Sequence, residues 1–389
     1  MKACQISGWW NPHIFSEFVS PYPIHYLPLL WRRMGWEVEI LTRPYPIPGE
    51  LREVVERKKL GEGYPERKVE REDGLTVRRF PGGRALSSLR MLRHLARASP
   101  SLVHLHSLGI PEDLGFSLLC GEKGIPLVFS HHAASLPDVL VSRGVLPSLH
   151  RTTLRFMNAT GAFFVAFTDF QAGLYRGLGM RRVVTIPHGM DPGIFRVRRR
   201  REMVEGYLGE FTLLHAGFFE PRKGQEILIR CMPSLLRECP GTSLVLVGKN
   251  LESPYLYHLQ GLCRRLGVRG RVHFLRASRE ELIQLYLHSD LFAFPTTGEI
   301  FGHVYLEAMA AGCPVITTDK PVAREILQDG RAGVLVERSV GAFERGILEL
   351  MGDPELRRRL ALNARRAVEQ KFELKKILRK WQELYRSLI

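Results

Sequence analysis

Several absences narrow this sequence before any motif does. No stretch reaches the roughly 18 consecutive apolar residues that a membrane-spanning helix needs, so no span is expected. The N-terminus has no long apolar run of the secretory kind. Lys2-Ala3-Cys4-Gln5-Ile6 leads directly into Gly8-Trp9-Trp10 and reads as a first strand. Cysteine is sparse, and Cys4, Cys120, Cys231, Cys239, Cys263 and Cys313 form no C-x-x-C pair and no zinc-type spacing. Reduced, buried thiols are expected, which fits a cytoplasmic protein. No Asp-x-Asp motif stands at a strand end, so no divalent metal is expected. No short-period repeat is present. No cluster interleaves basic residues with aromatics on one face, which argues against nucleic acid as a partner.

What is present is an ordinary globular composition with a strong basic bias. The formal charge is +16 over 389 residues. Arginine and lysine are spread along the whole chain, so the charge marks no site by itself. The length suits two domains better than one.

Apolar runs of strand length alternate with helical stretches throughout. In the first half the runs are Ala3–Ser7, Val38–Thr42, Leu102–His106, Leu127–Ser130, Ala162–Phe167 and Val183–Ile186, with Thr76–Phe80 as a weaker strand expected at an edge. In the second half they are Phe211–His215, Leu244–Val247, Val272–Leu275, Leu291–Phe294, Val315–Thr317 and Gly333–Val336. Strands that are apolar on both faces belong to parallel sheets covered by helices. Alternation with helices implies two α/β, doubly wound, Rossmann-like domains. Pro187-His188-Gly189, Asp191-Pro192-Gly193 and the four arginines Arg198–Arg201 divide the chain. The expected domains are 1–190 and 191–370. A final helix, 371–389, is expected to pack back toward the N-terminal domain. Its stripe of Leu374, Ile377, Leu378, Trp381, Leu384 and Tyr385 reads as core packing.

The segment from Pro295 to Ile316 carries the most chemistry. A strand ends at Pro295, a loop with Gly298 and Gly302 follows, and a helix opens near His303 and stops at Gly312. Ligands of parallel α/β sheets gather beyond the carboxyl ends of the strands. A glycine-flanked helix start there can hold phosphate through unpaired N–H groups and the helix dipole. Glu299 and Glu307 frame this helix start. A carboxylate beside a phosphate site calls for a hydroxyl partner: a ribose diol suits Glu307, and sugar hydroxyls suit Glu299. The plain alternative for each is a solvated carboxylate.

The Glu-x7-Glu pair Glu299/Glu307, followed by Glu-Ala-Met-Ala-Ala-Gly-Cys-Pro-Val-Ile, resembles the signature of the family-four retaining glycosyltransferases, glycosyl transferases group 1. Other segments match in the same order. Leu214-His-Ala-Gly-Phe-Phe-Glu-Pro-Arg-Lys-Gly-Gln resembles the opening of that family's second domain. Ser243–Gly248 and Val272-His-Phe-Leu resemble the strands lining its base pocket, and Ile186-Pro-His-Gly-Met-Asp its hinge. Val128-Phe-Ser-His-His-Ala-Ala resembles the strand end that carries a histidine near the reacting sugar. There His132 is the better match and His131 the runner-up. Leu102-Val-His-Leu-His matches an earlier strand with His106 at its end. The likeness covers nearly the whole chain, more strongly in the second half.

The resemblance implies a GT-B fold, two Rossmann-like domains facing across a cleft. It implies transfer of a hexose-type sugar from a nucleotide-diphosphate sugar to a hydroxyl of a sugar, glycan or lipid-linked acceptor, with retention and by front-side attack. The catalytic candidates are His132, Glu299 and Lys223. The donor-binding candidates are Lys223, Arg222, Gly217, Gly248, Phe274, Glu299, Ile300, Phe301, Gly302 and Glu307. The acceptor-side candidates are Gly8, Trp9, Trp10, His106 and His131. No cofactor is expected beyond the donor substrate.

Two departures stand out. Family members often carry Arg after the Gly of the second-domain opening, where this chain has Phe218. Arg222 is the candidate substitute; two readings stay open, that it compensates beside Lys223 or that a turn sends the two side chains apart. Many members have a Gly-Gly loop after the first strand, where this chain has Gly8-Trp9-Trp10-Asn11-Pro12. The rival readings are a sugar-nucleotide epimerase and a non-catalytic sugar-nucleotide binder. Arg84–Ala98, with Arg84, Arg90, Arg93 and Arg97 among leucines, reads either as a crossover helix or as a basic amphipathic face for a peripheral contact at the inner side of a membrane. The nucleotide base and the acceptor are not legible.

Overall fold

The computed structural model describes residues 1–7, 23–43, 69–72, 74–132, 145–248, 250–251 and 253–389. Gly8, Trp9 and Trp10 lie outside the described residues.

The first unit holds an eight-stranded sheet of order β3-β4-β2-β1-β5-β6-β7-β8. Its strands are β1 (Lys2–Ile6), β2 (Glu37–Thr42), β3 (Val69–Glu72), β4 (Leu75–Arg79), β5 (Leu102–His106), β6 (Leu127–Ser130), β7 (Phe163–Ala166) and β8 (Val183–Thr185). All neighbours are parallel except β3 and β4. The strand expected at the edge is β4, and it is not the edge, because β3 pairs with it antiparallel. The β3 sequence, Val-Glu-Arg-Glu, has almost no apolar content and gives no strand signal, yet charge is what suits an outermost strand.

The second sheet has six parallel strands in the order β11-β10-β9-β12-β13-β14. These are β9 (Phe211–Ala216), β10 (Thr242–Val247), β11 (Val272–Leu275), β12 (Leu291–Phe294), β13 (Val315–Thr318) and β14 (Val334–Val336). Numbered within the unit this is the doubly wound order 3-2-1-4-5-6, which reverses direction between β9 and β12. The central strands β9, β10 and β12 are buried at every position, as strands covered on both faces must be. Helix Gln225–Glu238 turns Leu228, Ile229, Met232 and Leu235 into that core, a spacing that fixes one helical face.

The chain leaves the first unit after His188, runs through the second as Gly189–Leu374, and contributes Lys375–Ile389 to the first again. In that last helix Ile377, Trp381 and Tyr385 are buried, so the apolar stripe is core. The Tyr385 ring meets Trp31 edge-on at 5.1 Å and stacks on Trp381 at 5.5 Å.

Candidate active site

In the second unit the reversal point brings two loops together, one after β9 and one after β12. Backbone hydrogen bonds stitch them: Thr297 N donates to Arg222 O at 2.8 Å. Arg338 bridges them, donating from Nε to Pro295 O at 2.9 Å and from Nη2 to Pro221 O at 3.0 Å. Gly224, between Lys223 and the helix that opens at Gln225, has φ +76°, and a Cβ there would lie 2.2 Å from Pro295 O. Only glycine allows this turn and this approach of the two loops.

Lys223 and Glu299 meet at this seam. Lys223 Nζ donates to Glu299 Oε1 at 2.5 Å, and the ammonium also sits 5.0 Å from the centre of the Phe294 ring. Arg222 Nη1 reaches the same carboxylate oxygen at 3.3 Å, and Thr296 Oγ1 donates to it at 2.9 Å. Of the two readings of Arg222, the one that places it beside Lys223 is the one seen. The short helical turn Pro221–Lys223 brings both side chains to Glu299. Burial pushes the Lys223 ammonium down from its usual value, and Glu299 opposes that shift. Phe218, in the place where an arginine was looked for, is exposed.

The helix His303–Ala311 opens from Gly302, whose φ of +83° again requires glycine. Ile300 and Phe301, just before it, are buried. Glu307 is buried on this helix, and Tyr286 donates its hydroxyl to Glu307 Oε2 at 2.9 Å. Gly217 and Gly248 close the far side of the loop. A Cβ on Gly248 would lie 2.6 Å from the Phe219 ring and 2.8 Å from Gly217 O. Phe274 packs against Phe219 with ring centres 6.0 Å apart. Asn250 clamps Phe219, accepting its N–H at 2.8 Å and donating to its carbonyl at 3.2 Å. Sequence reasoning did not single out Tyr286, Thr296, Asn250 or Arg338.

In the first unit His106 and His132 are brought together, with His106 Nδ1 and His132 Nε2 2.8 Å apart. Ser130 Oγ lies 3.0 Å from His106 Nδ1 and 3.2 Å from His132 Nε2. His104 joins through Nε2, 3.0 Å from the same hydroxyl, and its Nδ1 is 2.8 Å from Tyr385 OH. The His132 ring packs on Phe167, which takes His188 edge-on at 4.2 Å. His131, the runner-up, packs instead with Phe129 and His150. His106 is 2 % exposed, so as an acceptor-side candidate it offers almost no surface. Sequence reasoning missed His104 and Ser130, although the alternation in Leu102–His106 puts residues 104 and 106 on one sheet face.

Sequence profiles of two families match: residues 26–189 match the Glycosyl transferase 4-like domain and residues 199–367 match Glycosyl transferases group 1. D-inositol 3-phosphate glycosyltransferase of Actinosynnema mirum is 30% identical over 85% of this chain and 83% of its own length. The GDP-mannose-dependent alpha-(1-6)-phosphatidylinositol monomannoside mannosyltransferase of Mycolicibacterium smegmatis is 41% identical over 143 residues, 34% of this chain and only 37% of that protein. Among solved structures, sucrose-phosphate synthase from Thermosynechococcus elongatus superposes with a TM-score of 0.76 at 20% identity, covering 100% of this chain and 98% of that one. With the two doubly wound sheets and the site between β9 and β12, these similarities establish that the chain belongs to the glycosyl transferases group 1 family and is a glycosyltransferase of the GT-B fold.

Proposed function

We propose that this glycosyltransferase is retaining and moves a hexose-type sugar from a nucleotide-diphosphate sugar to an acceptor hydroxyl without a metal ion. The observation that carries the reading is the convergence of Lys223, Arg222 and Glu299 at the carboxyl ends of β9 and β12, beside the start of the helix that holds Glu307. Lys223 and Arg222 supply positive charge for a leaving pyrophosphate, as a metal does elsewhere, and the helix start adds its dipole. Glu299 orients the donor sugar. Glu307, held by Tyr286, takes the ribose diol.

In front-side attack the acceptor hydroxyl approaches the anomeric carbon on the face the phosphate leaves, and its proton passes to the leaving phosphate oxygen. The protein then needs no carboxylate nucleophile of the kind that retaining glycosidases use. It positions the reactants and stabilises charge. His132 is assigned to the donor sugar. The names of these relatives make GDP-mannose and an inositol-bearing acceptor the first pair to test. We also propose a peripheral membrane contact through the exposed face of helix Arg84–Ala98.

Calorimetric titration with UDP, GDP, ADP and their glucose, mannose and N-acetylglucosamine conjugates tests the donor site. One nucleotide class is expected to bind, with affinity falling at least about 10-fold in Glu307→Ala. Binding by none of them sinks the proposal.

A further inference from the structure

The buried polar chain of the first unit has a direction, and counting its protons gives it. Tyr385 OH is enclosed by the rings of Trp31, Trp36 and Trp381. Among the described residues its hydrogen-bond partner is His104 Nδ1. A buried hydroxyl left without an acceptor is costly, so Tyr385 donates and His104 Nδ1 accepts. Burial holds both His104 and His106 well below the ordinary imidazole range, so both count as neutral. The His104 proton is then on Nε2 and is given to Ser130 Oγ.

At the other end, His106 Nε2 is buried and has no hydrogen-bond partner among the described residues. An orphaned N–H there costs more than a bare nitrogen, so His106 carries its proton on Nδ1. That proton points at Ser130 Oγ and His132 Nε2, 3.0 and 2.8 Å away. Ser130 already accepts from His104 and has one proton to give, and His132 Nε2 at 3.2 Å is the nitrogen left to take it. Whether the donor is Ser130 or His106, His132 Nε2 accepts.

We propose that Tyr385, His104, Ser130 and His106 form a one-way hydrogen-bonded chain that holds His132 with its ring proton on Nδ1. In that tautomer the His132 nitrogen outside the chain is an N–H donor and not a base. The four are positioning residues. The substrate role rests on assigning His132 to the donor sugar; the tautomer does not. A donor suits front-side transfer, in which the leaving phosphate takes the proton and a histidine base would compete for it.

The test is nitrogen-15 ring NMR of the full chain with labelled histidine, rings assigned by single substitutions. The expected pattern is His104 protonated at Nε2, and His106 and His132 protonated at Nδ1. His132 protonated at Nε2, or His104 at Nδ1, overturns the proposal. Tyr385→Phe keeps the ring packing and removes one oxygen. It should move the His104 Nδ1 signal toward an unbonded nitrogen while Nε2 stays protonated, and an unmoved signal counts against the chain. His106→Leu should mix the His132 tautomers and slow GDP release from GDP-mannose about 10-fold, with GDP affinity unchanged. An unmixed His132 and an unchanged rate would show that His106 positions nothing. If GDP-mannose is not a donor at all, the NMR pattern still decides the chain, and only the functional reading fails.

Discussion

Lys223 is a cation largely taken out of water, with Glu299 against it at 2.5 Å. Removing one partner of such a pair leaves a buried charge uncompensated, which costs more than the pair itself is worth. Glu299→Gln should therefore lower the stability of the free protein by about 2 kcal/mol. Added nucleotide diphosphate should restore part of the loss, because its phosphates replace the missing anion. Thermal denaturation with and without GDP reads both effects, and a loss that nucleotide leaves untouched would argue against phosphate at Lys223. Lys223, Glu299 and Glu307 were singled out in the sequence because they lie in contiguous motifs that resemble those of the family. Tyr286 and Tyr385 were not. The partner of Tyr286 lies 21 positions away and that of Tyr385 lies 281 away, and an isolated tyrosine in an apolar helix stripe looks like any core residue.

Helix Ile110–Glu122 follows the loop after β5 and pins it. Asp113 in its first turn accepts Leu108 N–H at 2.8 Å and the Ser107 hydroxyl at 2.7 Å. Burial raises its pKa from 3.8 to about 6, against the pull of those hydrogen bonds. The sign follows from the folded value lying above the unfolded one. Between about pH 4 and 6 the folded state binds more protons, so stability falls as pH rises through that window. The cost at neutral pH is about 3 kcal/mol. Asp113→Asn keeps an acceptor for Leu108 and should flatten this part of the pH–stability curve, measured by urea unfolding from pH 4 to 7. An unchanged slope would mean Asp113 is not its source. At this scale most elements were readable, because central strands are continuously apolar. Proline also opens several helices, at Pro254, Pro321 and Pro354. The strand β3 was not readable, since an edge strand's pairing is dictated by its neighbour rather than by its own side chains.

Among the described residues, one place where the charge of +16 adjoins exposed apolar surface is helix Arg84–Ala98. On helix Arg84–Ala98 the residues Leu86 and Leu89 are 46% and 44% exposed, beside exposed Arg90, Arg93 and Arg97. Arg84 is not part of that face, because it is held by Glu112 and by Leu108 O. If this face rests on a bilayer, the chain should sediment with vesicles rich in phosphatidylinositol and not with phosphatidylcholine alone. Replacing Arg90, Arg93 and Arg97 by Glu should weaken that binding roughly 100-fold or more, at about 1 kcal/mol per cation. Equal binding by the variant would end the idea. The division into two sheets was visible in the alternation of strands and helices, whereas the partners of this surface depend on exposure, which a sequence does not state. The return of the last helix to the first unit also orders events on the ribosome. The sheet that comes off first waits for residues made after the whole second unit, and at usual elongation rates that unit takes roughly 10–40 s to synthesise. Through that interval His104 lacks Tyr385, and the hollow later filled by Trp381 stays open. A chain stopped just short of this helix would then be a natural client for chaperones even with every strand of both sheets already made.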